Sequence, residues 1–313
     1  MTALGIDIGG SSVKVGLVDR SGNIVERHSG TTPDSLPAFK ATLGSLLAQF
    51  DGQLTAVDGI GFGCRGIIHH ESTLVERLPG AAHFLEGSRL SDLVSDATPA
   101  GIVVRADNDA RAALAGELAF GGARDCSNAL MLTLGTGVGG AVLAEGRILR
   151  GARGVAGHLG HLTMEPDGPL CVCGNRGCLE TYFSARAMEA EVGAGLHRGV
   201  ATSLEGILKR SSPLCCEDIF NAAAEGDTLA IVVRDRAVHF LGAALAGLVH
   251  AFDPERVILG GQIIRAGAAI IEPLRQELRW RTMCLLGEEV PIVPAGVADQ
   301  SGIVGAAALV FRP

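Results

Sequence analysis

Hydrophobic and polar positions along this chain form two blocks that repeat the same order of elements. In residues 3–30, two β-type runs flank a Gly-Gly-Ser-Ser turn, and a Ser-Gly turn leads into a third run. In residues 128–151, a run ends at Leu134, a glycine-rich turn spans Gly135 to Gly140, and a Glu-Gly turn follows the returning run. We therefore predict a β-meander in each block and an internal duplication at the level of structure.

The segments between these blocks favour alternating helices and strands. Residues 36–50 have helical spacing, and the apolar run 59–68 predicts a buried strand. Residues 102–109 predict another strand, which runs into a helix over 110–119. This order favours an α/β sheet in each half of the chain.

Length and composition are those of a globular protein with two cores. The chain has 313 residues, of which 47% are hydrophobic, and a core of that size is usually divided between domains. We expect an N-terminal α/β lobe over 1–112, completed by a C-terminal helix at 300–313. A larger α/β lobe over 113–299 would carry the cysteine-rich loop described next.

Three cysteines and a histidine are concentrated between residues 161 and 178, in an arrangement typical of zinc ligands. These are His161, Cys171, Cys173 and Cys178. Four such ligands suit a closed tetrahedral zinc site, which organises a loop and leaves no coordination position for substrate. The alternative is a disulfide or redox pair, but Cys-x-Cys is too short for a relaxed bridge and redox pairs usually have the spacing Cys-x-x-Cys.

The remaining composition excludes several classes of function. A net charge of −8 argues against a broad nucleic-acid surface, and the low aromatic content of 4% argues against a stacking platform for bases. No apolar stretch free of charge reaches membrane-spanning length. The other cysteines are odd in number and scattered, which is typical of a reducing cytoplasm rather than of a secreted disulfide framework.

The two glycine-rich turns are candidate phosphate sites, because backbone N–H groups can approach an anion closely where no Cβ obstructs them. Neither turn is a Walker or dinucleotide motif, and tight-hairpin glycines are the alternative interpretation. Asp7 lies beside the first turn, where its carboxylate can hold Mg²⁺. Lys14 is either a further positive charge near the phosphates or an exposed strand residue.

Asp109 stands where a strand gives way to a helix. A carboxylate at the C-terminal end of such a strand points towards the crevice where ligands of open α/β sheets bind. There it can accept a proton from a sugar hydroxyl, while Asn108 hydrogen-bonds a neighbouring hydroxyl. The alternative is an N-cap, since Asp-Asn-Asp before an alanine-rich run is also a helix-start signal. We assign catalysis to Asp109 and leave capping to Asp107 or Asn108.

Taken in order, these motifs resemble the ROK family of bacterial sugar kinases and regulators. They are DIGG at residue 7, GFGCRG at 61, NDA at 108, LGTGVGG at 134, GH with CxCGxxGCxE, and ILGG at 258. The resemblance extends from Asp7 to Gly305 and is most specific in the cysteine segment. It implies the actin-like sugar-kinase ATPase fold, with two ribonuclease-H-like lobes and a central cleft that holds ATP and sugar.

The resemblance also assigns roles to individual residues. It makes Asp109 the catalytic base and the four Cys and His residues the zinc ligands. Its sugar-binding residues correspond to Gly66, Asn108, His158, His161 and Glu180. Its nucleotide and Mg²⁺ contacts correspond to Asp7, Gly9, Gly10, Ser11, Ser12, Gly135, Thr136, Gly137, Gly139, Gly260 and Gly261.

Three departures from the family pattern affect the sugar side. His158 replaces a sugar-contacting glutamate, Arg65 replaces a proline before Gly66, and Arg111 replaces the second asparagine of Asn-Asp-Ala-Asn. An imidazole presents one donor and one acceptor, whereas a carboxylate only accepts, so a different hydroxyl or substituent would be recognised. The two arginines either favour an acidic or unusual substrate or point to solvent.

We expect an ATP- and Mg²⁺-dependent kinase that phosphorylates a primary hydroxyl, C6 of a hexose or N-acetylhexosamine, in a cytoplasmic homodimer with a structural Zn²⁺. An atypical sugar or cyclitol is an alternative because of His158. A sugar-sensing regulator is another, although regulators place a helix-turn-helix ahead of the DxGG strand and only six residues precede Asp7. A sugar-binding protein without catalysis is a third.

Overall fold

The computed structural model describes residues 2–50, 52–78, 82–209, 214–286, 289–297 and 300–311. Its internal contacts divide the chain into two units, which are described separately. The first comprises Met1–Ser127, Ala141–Gly157 and Ala295–Pro313, and the second comprises Asn128–Gly140 and His158–Pro294.

The first sheet contains the predicted N-terminal meander. Its strands are β1 (Thr2–Ile8), β2 (Ser12–Asp19), β3 (Ile24–Thr31), β4 (Gly59–Cys64) and β7 (Val103–Asn108), in the spatial order β3-β2-β1-β4-β7. β1, β2 and β3 pair antiparallel, whereas β4 and β7 continue the sheet parallel to β1. A separate hairpin joins β5 (Ile67–Ile68) to β6 (Val75–Arg77). The predicted strand over 59–68 therefore ends at Cys64, where the chain turns through Gly66 with a φ of 92°.

The second sheet contains β8 (Ala129–Leu134), β9 (Val138–Ala144), β10 (Arg147–Ile148), β11 (Arg256–Gly260) and β12 (Ile292–Pro294), in the order β10-β9-β8-β11-β12. When strands are numbered along the chain within each sheet, both sheets have the order 3-2-1-4-5. The predicted duplication is therefore confirmed. The turn after β8 is shorter than predicted, because Gly139 and Gly140 already belong to β9.

The described residues of the first unit form the α-helices α1 (Leu36–Ala48), α2 (Asp109–Phe120) and α8 (Ser301–Phe311). The expected lobe boundary at residue 112 lies inside α2, which packs against α8. An added Cβ on Gly5 would lie 2.0 Å from the Ile303 carbonyl oxygen, and one on Gly61 would lie 1.7 Å from that of Ala306. Glycine in β1 and β4 therefore allows α8 to sit directly on the sheet.

The opposite face of this sheet forms the main core of the unit. Phe39 and Leu43 of α1 are fully buried, as is Phe62 of β4. Phe84 packs on Phe39 with ring centroids 5.7 Å apart, and Leu85 is fully buried. The segment around these two residues is therefore a packed connection at this point. The turn that Pro79 and Gly80 favour in the sequence lies outside the described residues.

The second unit adds α3 (Ala185–His197), α4 (Glu205–Lys209), α5 (Cys216–Ala224), α6 (Thr228–Phe252) and α7 (Ala268–Leu286). Helix α6 packs against α5 and α7 and buries Leu241, Leu245 and Val249 completely. The apolar stretch of α6 thus forms core within its own unit. None of the helices in the described part of the chain has the length and apolar character needed to cross a membrane.

Candidate active site and metal centre

Three aspartates stand at the carboxyl edge of the first sheet. The parallel register aligns Asp7 of β1 with Gly63 of β4 and with Asp107 of β7, and Asp109 follows as the first residue of α2. Burial raises the pKa of Asp7 to about 6, against the opposing charge of Lys14 and with a smaller contribution from Asp109. The Lys14 ammonium is 3.8 Å from Asp7 and half-exposed, so it is both an exposed strand residue and the partner of this carboxylate.

The turn between β1 and β2 is closed by its own hydrogen bonds. The Gly9 amide donates to the Ser12 carbonyl at 3.0 Å. Thr32 donates its hydroxyl to Gly9 at 2.8 Å and its amide to Ser11 at 3.1 Å. These bonds fix the four residues Gly9, Gly10, Ser11 and Ser12 immediately after the strand that carries Asp7.

Asn108 and Asp109 share the start of α2. Asn108 is the N-cap, because its Oδ1 accepts from the Ala110 amide at 3.0 Å, and its Nδ2 donates to the Gly66 carbonyl at 3.2 Å. Asp109 Oδ1 also accepts from the Ala110 amide, at 2.9 Å. Burial raises the pKa of Asp109, although this hydrogen bond and the charges of Arg65 and Arg111 oppose the rise. A raised pKa makes this carboxylate a stronger proton acceptor than an exposed aspartate, as a general base requires.

Arg111 occupies neither of the positions expected for it. Its side chain is 1% exposed and pairs with Asp107, which is fully buried, so it faces neither solvent nor an open substrate surface. His69 is solvated, but its neighbour His70 is not. The His70 side chain is 18% exposed, and its Nδ1 lies 3.0 Å from the Ala106 carbonyl oxygen. Arg65 is half-buried and close enough to Asp109 to influence its pKa.

In the second unit, the glycine residues converge where β8 and β11 end. These strands are parallel, with Gly260 opposite Thr133. Gly261 has a φ of 90°, and an added Cβ would lie 2.3 Å from the Leu134 carbonyl oxygen. Leu134 leads directly into the turn of Gly135, Thr136 and Gly137, in which the Gly135 amide donates to the Gly137 carbonyl at 3.0 Å. The structure therefore brings the predicted nucleotide-contacting residues of this unit together.

The predicted metal ligands form one cluster. The donor atoms of His161, Cys171, Cys173 and Cys178 all lie within 4.8 Å of one another. The Cys171 sulfur is 3.6 Å from His161 Nδ1, and the Cys173 sulfur is 3.6 Å from that of Cys178. A tetrahedral zinc ion places bound sulfurs about 3.8 Å apart and a sulfur and a nitrogen about 3.6 Å apart. The donor set and its spacing therefore fit zinc.

Local turns bring these ligands together. The Cys171 amide donates to the Asn175 carbonyl and the Gly174 amide returns to the Cys171 carbonyl, with Gly174 at a φ of 90°. Gly177 packs against Glu165, where an added Cβ would lie 1.6 Å from the carbonyl oxygen. Burial raises the pKa of the Cys171 and Cys178 thiols in the metal-free protein. Because zinc binds thiolates, its affinity should rise with pH.

Glu180 lies between the metal ligands and the second glycine turn. Its Oε1 is 3.0 Å from the Cys171 sulfur and 3.8 Å from His161 Nδ1. Its Oε2 would be 2.8 Å from a Cβ added to Gly137. His158 begins the short 3₁₀ turn Leu159–His161, and its ring stacks with that of His161 at a centroid distance of 6.2 Å. The metal ligands and the predicted sugar contacts of this unit therefore form one packed cluster.

Sequence reasoning missed two buried acids of the first unit. Asp107 binds Arg111 and Arg150 rather than capping α2. The four-residue spacing of Asp107 and Arg111 resembles a helical ion pair, but Asp107 lies on β7, so the helical rule does not predict their contact. Glu117 is fully buried and accepts hydrogen bonds from the amides of Gly122, Gly296 and Val297. Its partners near residue 296 are distant in sequence, so no local pattern indicates them.

Two sheets of one strand order, with carboxylates at the edge of the first, define a protein of the actin-like sugar-kinase fold. A model of the ROK family matches residues 3–312, and the chain belongs to this family. It is 34% identical to a glucokinase from Thermotoga maritima, over 98% of this chain and 96% of the relative. The xylose repressor of Bacillus subtilis is 26% identical, over 99% of this chain and 77% of the repressor.

A solved structure supports the same fold over the whole chain. The ROK family glucokinase from Streptomyces griseus in complex with glucose and AMPPNP superposes with a TM-score of 0.84. Its sequence is 29% identical, and the match covers 100% of both chains.

Proposed function

We propose that this chain is an ATP- and Mg²⁺-dependent sugar kinase that transfers the γ-phosphate to a primary hydroxyl, C6 of a hexose or N-acetylhexosamine. The observation that carries the proposal is the pair Asp7 and Asp109 at one sheet edge, beside the fixed turn of Gly9–Ser12. Full-length similarity to glucokinases supports the class of reaction.

Within this proposal Asp109 orients the sugar hydroxyl and accepts its proton. Its raised pKa favours that transfer near neutral pH, and the Ala110 amide holds the carboxylate in place, while the Asn108 side chain would meet a neighbouring hydroxyl. Asp7 would hold Mg²⁺, which neutralises charge on the phosphates when bound. The amides of the two glycine turns would bind the phosphates, and the nucleoside would lie against Gly260 and Gly261. Positioning and electrostatic stabilisation provide most of the acceleration in this chemistry.

The metal would act through its loop. His161, Cys171, Cys173 and Cys178 would hold Zn²⁺ in a closed site, so the ion supplies structure and no coordination position for substrate. The loop in turn places Glu180 and the second nitrogen of His161 for contact with the sugar. His158 and Gly66 would supply further contacts to it. His158 can both donate and accept a hydrogen bond, whereas a glutamate only accepts. The sugar that receives the phosphate therefore differs from that of a glutamate-containing relative at one hydroxyl or substituent.

A coupled ADP-release assay over glucose, N-acetylmannosamine, N-acetylglucosamine, allose, fructose and cyclitols tests the proposal. We expect turnover on at least one hexose or N-acetylhexosamine, with the product phosphorylated at C6. Tight sugar binding by calorimetry without turnover on any acceptor would reject the kinase in favour of a sugar-binding regulator. Turnover on a cyclitol alone would reject the hexose assignment.

We further propose a homodimer that works in the cytoplasm. The free thiols of the cluster suit a reducing compartment, and family membership makes the dimer the default. Light scattering on the purified protein should give a mass about twice the 32.2 kDa of one chain. A monomer mass at micromolar concentration would contradict this proposal without affecting the kinase assignment.

A further inference from the structure

Arg111 is an unusual residue for its environment. Of the fully buried side chains in the described part of the chain it is the largest, and it carries a formal charge. A buried guanidinium persists only where partners compensate for lost water. Its position is one where the family pattern has asparagine, so its partners show what this chain gains from the replacement.

The guanidinium joins a helix to a loop. Its Nε donates to Asp107 Oδ1 at 2.5 Å, and its Nη1 donates to the carbonyls of Gly154 at 3.0 Å and Ala156 at 2.9 Å. Its Nη2 is buried and has no hydrogen-bond partner among the described residues. One side chain therefore holds two carbonyl groups of a single loop while it is itself anchored to β7.

The same loop is held at its beginning by Arg150. The Arg150 Nε donates to Asp107 Oδ2 at 2.7 Å, and the Arg150 carbonyl accepts from the Ala156 amide at 3.1 Å. His70 Nδ1 lies 3.6 Å from Asp107 Oδ2, but burial, aided by the charge of Arg150, lowers the pKa of His70. Asp107 therefore faces two permanent cations, both of which also fix the loop.

This loop would not keep one conformation by itself. Gly151, Gly154 and Gly157 all have positive φ, at 72°, 69° and 90°, and no helix or strand lies between β10 and the 3₁₀ turn that starts after His158. Glycines at such positions leave an unconstrained loop many alternatives. The residue that follows Gly157 is His158, the chain's substitute for the family glutamate.

We propose that Arg111 is a positioning residue for the sugar side of the site: it fixes the backbone of residues 154–156 and thereby sets where His158 is presented to the acceptor. The inference rests on the proposed function, in which His158 contacts the sugar. The departures from the family pattern at positions 111 and 158 then act together. His158 changes the contact with the sugar, and Arg111 fixes the loop from which His158 extends.

Arg111→Lys separates positioning from simple charge pairing. A lysine ammonium can remain paired with Asp107, but it lacks the planar fork that reaches the loop carbonyls at the same time. We expect the KM for the best sugar to rise at least tenfold, with the KM for ATP within twofold and kcat within threefold of wild type. Hydrogen exchange of the Ala156 amide should accelerate as well.

Leu47→Ala is the matched control for lost stability. Leu47 is 2% exposed and packs in the core on the other face of the first sheet. Its truncation should lower Tm at least as much as Arg111→Lys while leaving the sugar KM within twofold. A wild-type sugar KM in Arg111→Lys, or an equal rise in the KM for sugar and ATP, overturns the inference.

Two further measurements keep the test decisive if Arg111→Lys does not fold. The double variant Asp107→Asn with Arg111→Gln removes the buried charges together and should show the same selective rise in sugar KM. In the wild type without sugar, the Ala156 amide, which donates to the Arg150 carbonyl, should exchange slowly, and rapid exchange there overturns the inference. Absence of turnover by wild type on every sugar is a different result, which rejects the proposed function itself.

Discussion

The two sheets of this protein share a strand order but differ in what stands at their parallel carboxyl edges. In the first, Asp7 and Asp109 place acids there, close enough for the charge of one to affect the other. In the second, Gly135 and Gly261 place backbone there with no side chain. Under the proposed function, one duplicated framework would provide two kinds of chemistry: an edge that holds cations and moves a proton, and an edge that admits an anion to backbone amides.

The largest effect is expected at the acidic edge. Asp109→Asn keeps the shape of the side chain but removes the base, so kcat should fall about a thousandfold or more, while sugar affinity stays within about tenfold. The coupled assay and sugar calorimetry measure the two quantities. Asp235→Asn, at an exposed position on α6 where it pairs with Arg234, is the control and should keep full activity. A wild-type rate in Asp109→Asn removes this residue from the catalytic role.

The next effect concerns the metal cluster of the second unit. Cys173→Ser removes one ligand and should release zinc, weakening sugar affinity about tenfold or more because Glu180 and His161 lose their support. Metal content by mass spectrometry and sugar calorimetry check this. Cys215→Ser replaces an exposed cysteine outside the cluster and should change neither. Retention of zinc and of sugar affinity by Cys173→Ser contradicts a structural metal.

Two glycine substitutions test the carboxyl edge of the second sheet. An added Cβ on Gly137 meets the Glu180 carboxylate, whereas one on Gly135 has no protein atom within 4 Å. We expect Gly137→Ala to raise the KM for sugar and ATP several-fold, since it displaces Glu180 and obstructs the turn. Gly135→Ala should raise the KM for ATP alone. If both variants change only the KM for ATP, Glu180 does not connect the turn to the sugar.

The smallest effect is a stability difference at Asp7. Its pKa of about 6, against 3.8 in the unfolded chain, means that the folded state retains the proton to higher pH. The free energy of unfolding therefore falls as the pH rises from about 4 to about 6. Asp7→Asn should stabilise the ligand-free protein by about 3 kcal/mol at pH 7 and by almost nothing at pH 3.5.

Urea unfolding at both pH values measures this difference, and Asp227 gives a control of opposite sign. Burial works against the ionised form of Asp227, but hydrogen bonds from Ala230, Thr202 and Ser203 outweigh it and lower its pKa to about 2. Asp227→Asn should therefore destabilise the protein at pH 7, with a difference that shrinks as the pH falls towards 2. Equal stability of Asp7→Asn and wild type at pH 7 contradicts the buried-acid account.

Much of the fold was predictable from local pattern. Alternation and turn residues predicted the meander of β1, β2 and β3 and its repeat, because side-chain period and turn chemistry are local properties. Helix α1 was expected over 36–50 and spans Leu36–Ala48. The metal cluster was predictable for the same reason, since four ligands within eighteen residues need only tight turns to converge.

The features that were missed depend on contacts between distant segments. Whether Arg111 faces solvent or core is decided by loop carbonyls more than forty residues away. Paired histidines in a polar segment favour a solvated loop, yet His70 lies against β7, with its Nδ1 3.0 Å from the Ala106 carbonyl oxygen. The buried strand was predicted to continue past Cys64, because apolar composition does not show where Gly66 turns the chain.

The closeness of α8 to β1 and β4 also has a consequence for biosynthesis. The strands β1 and β4 are translated well before α8, the helix that covers Gly5 and Gly61. One face of the nascent first sheet therefore stays uncovered until the intervening segment and α8 have been synthesised. Chains released early would expose this face, which makes them candidates for chaperone capture and for aggregation.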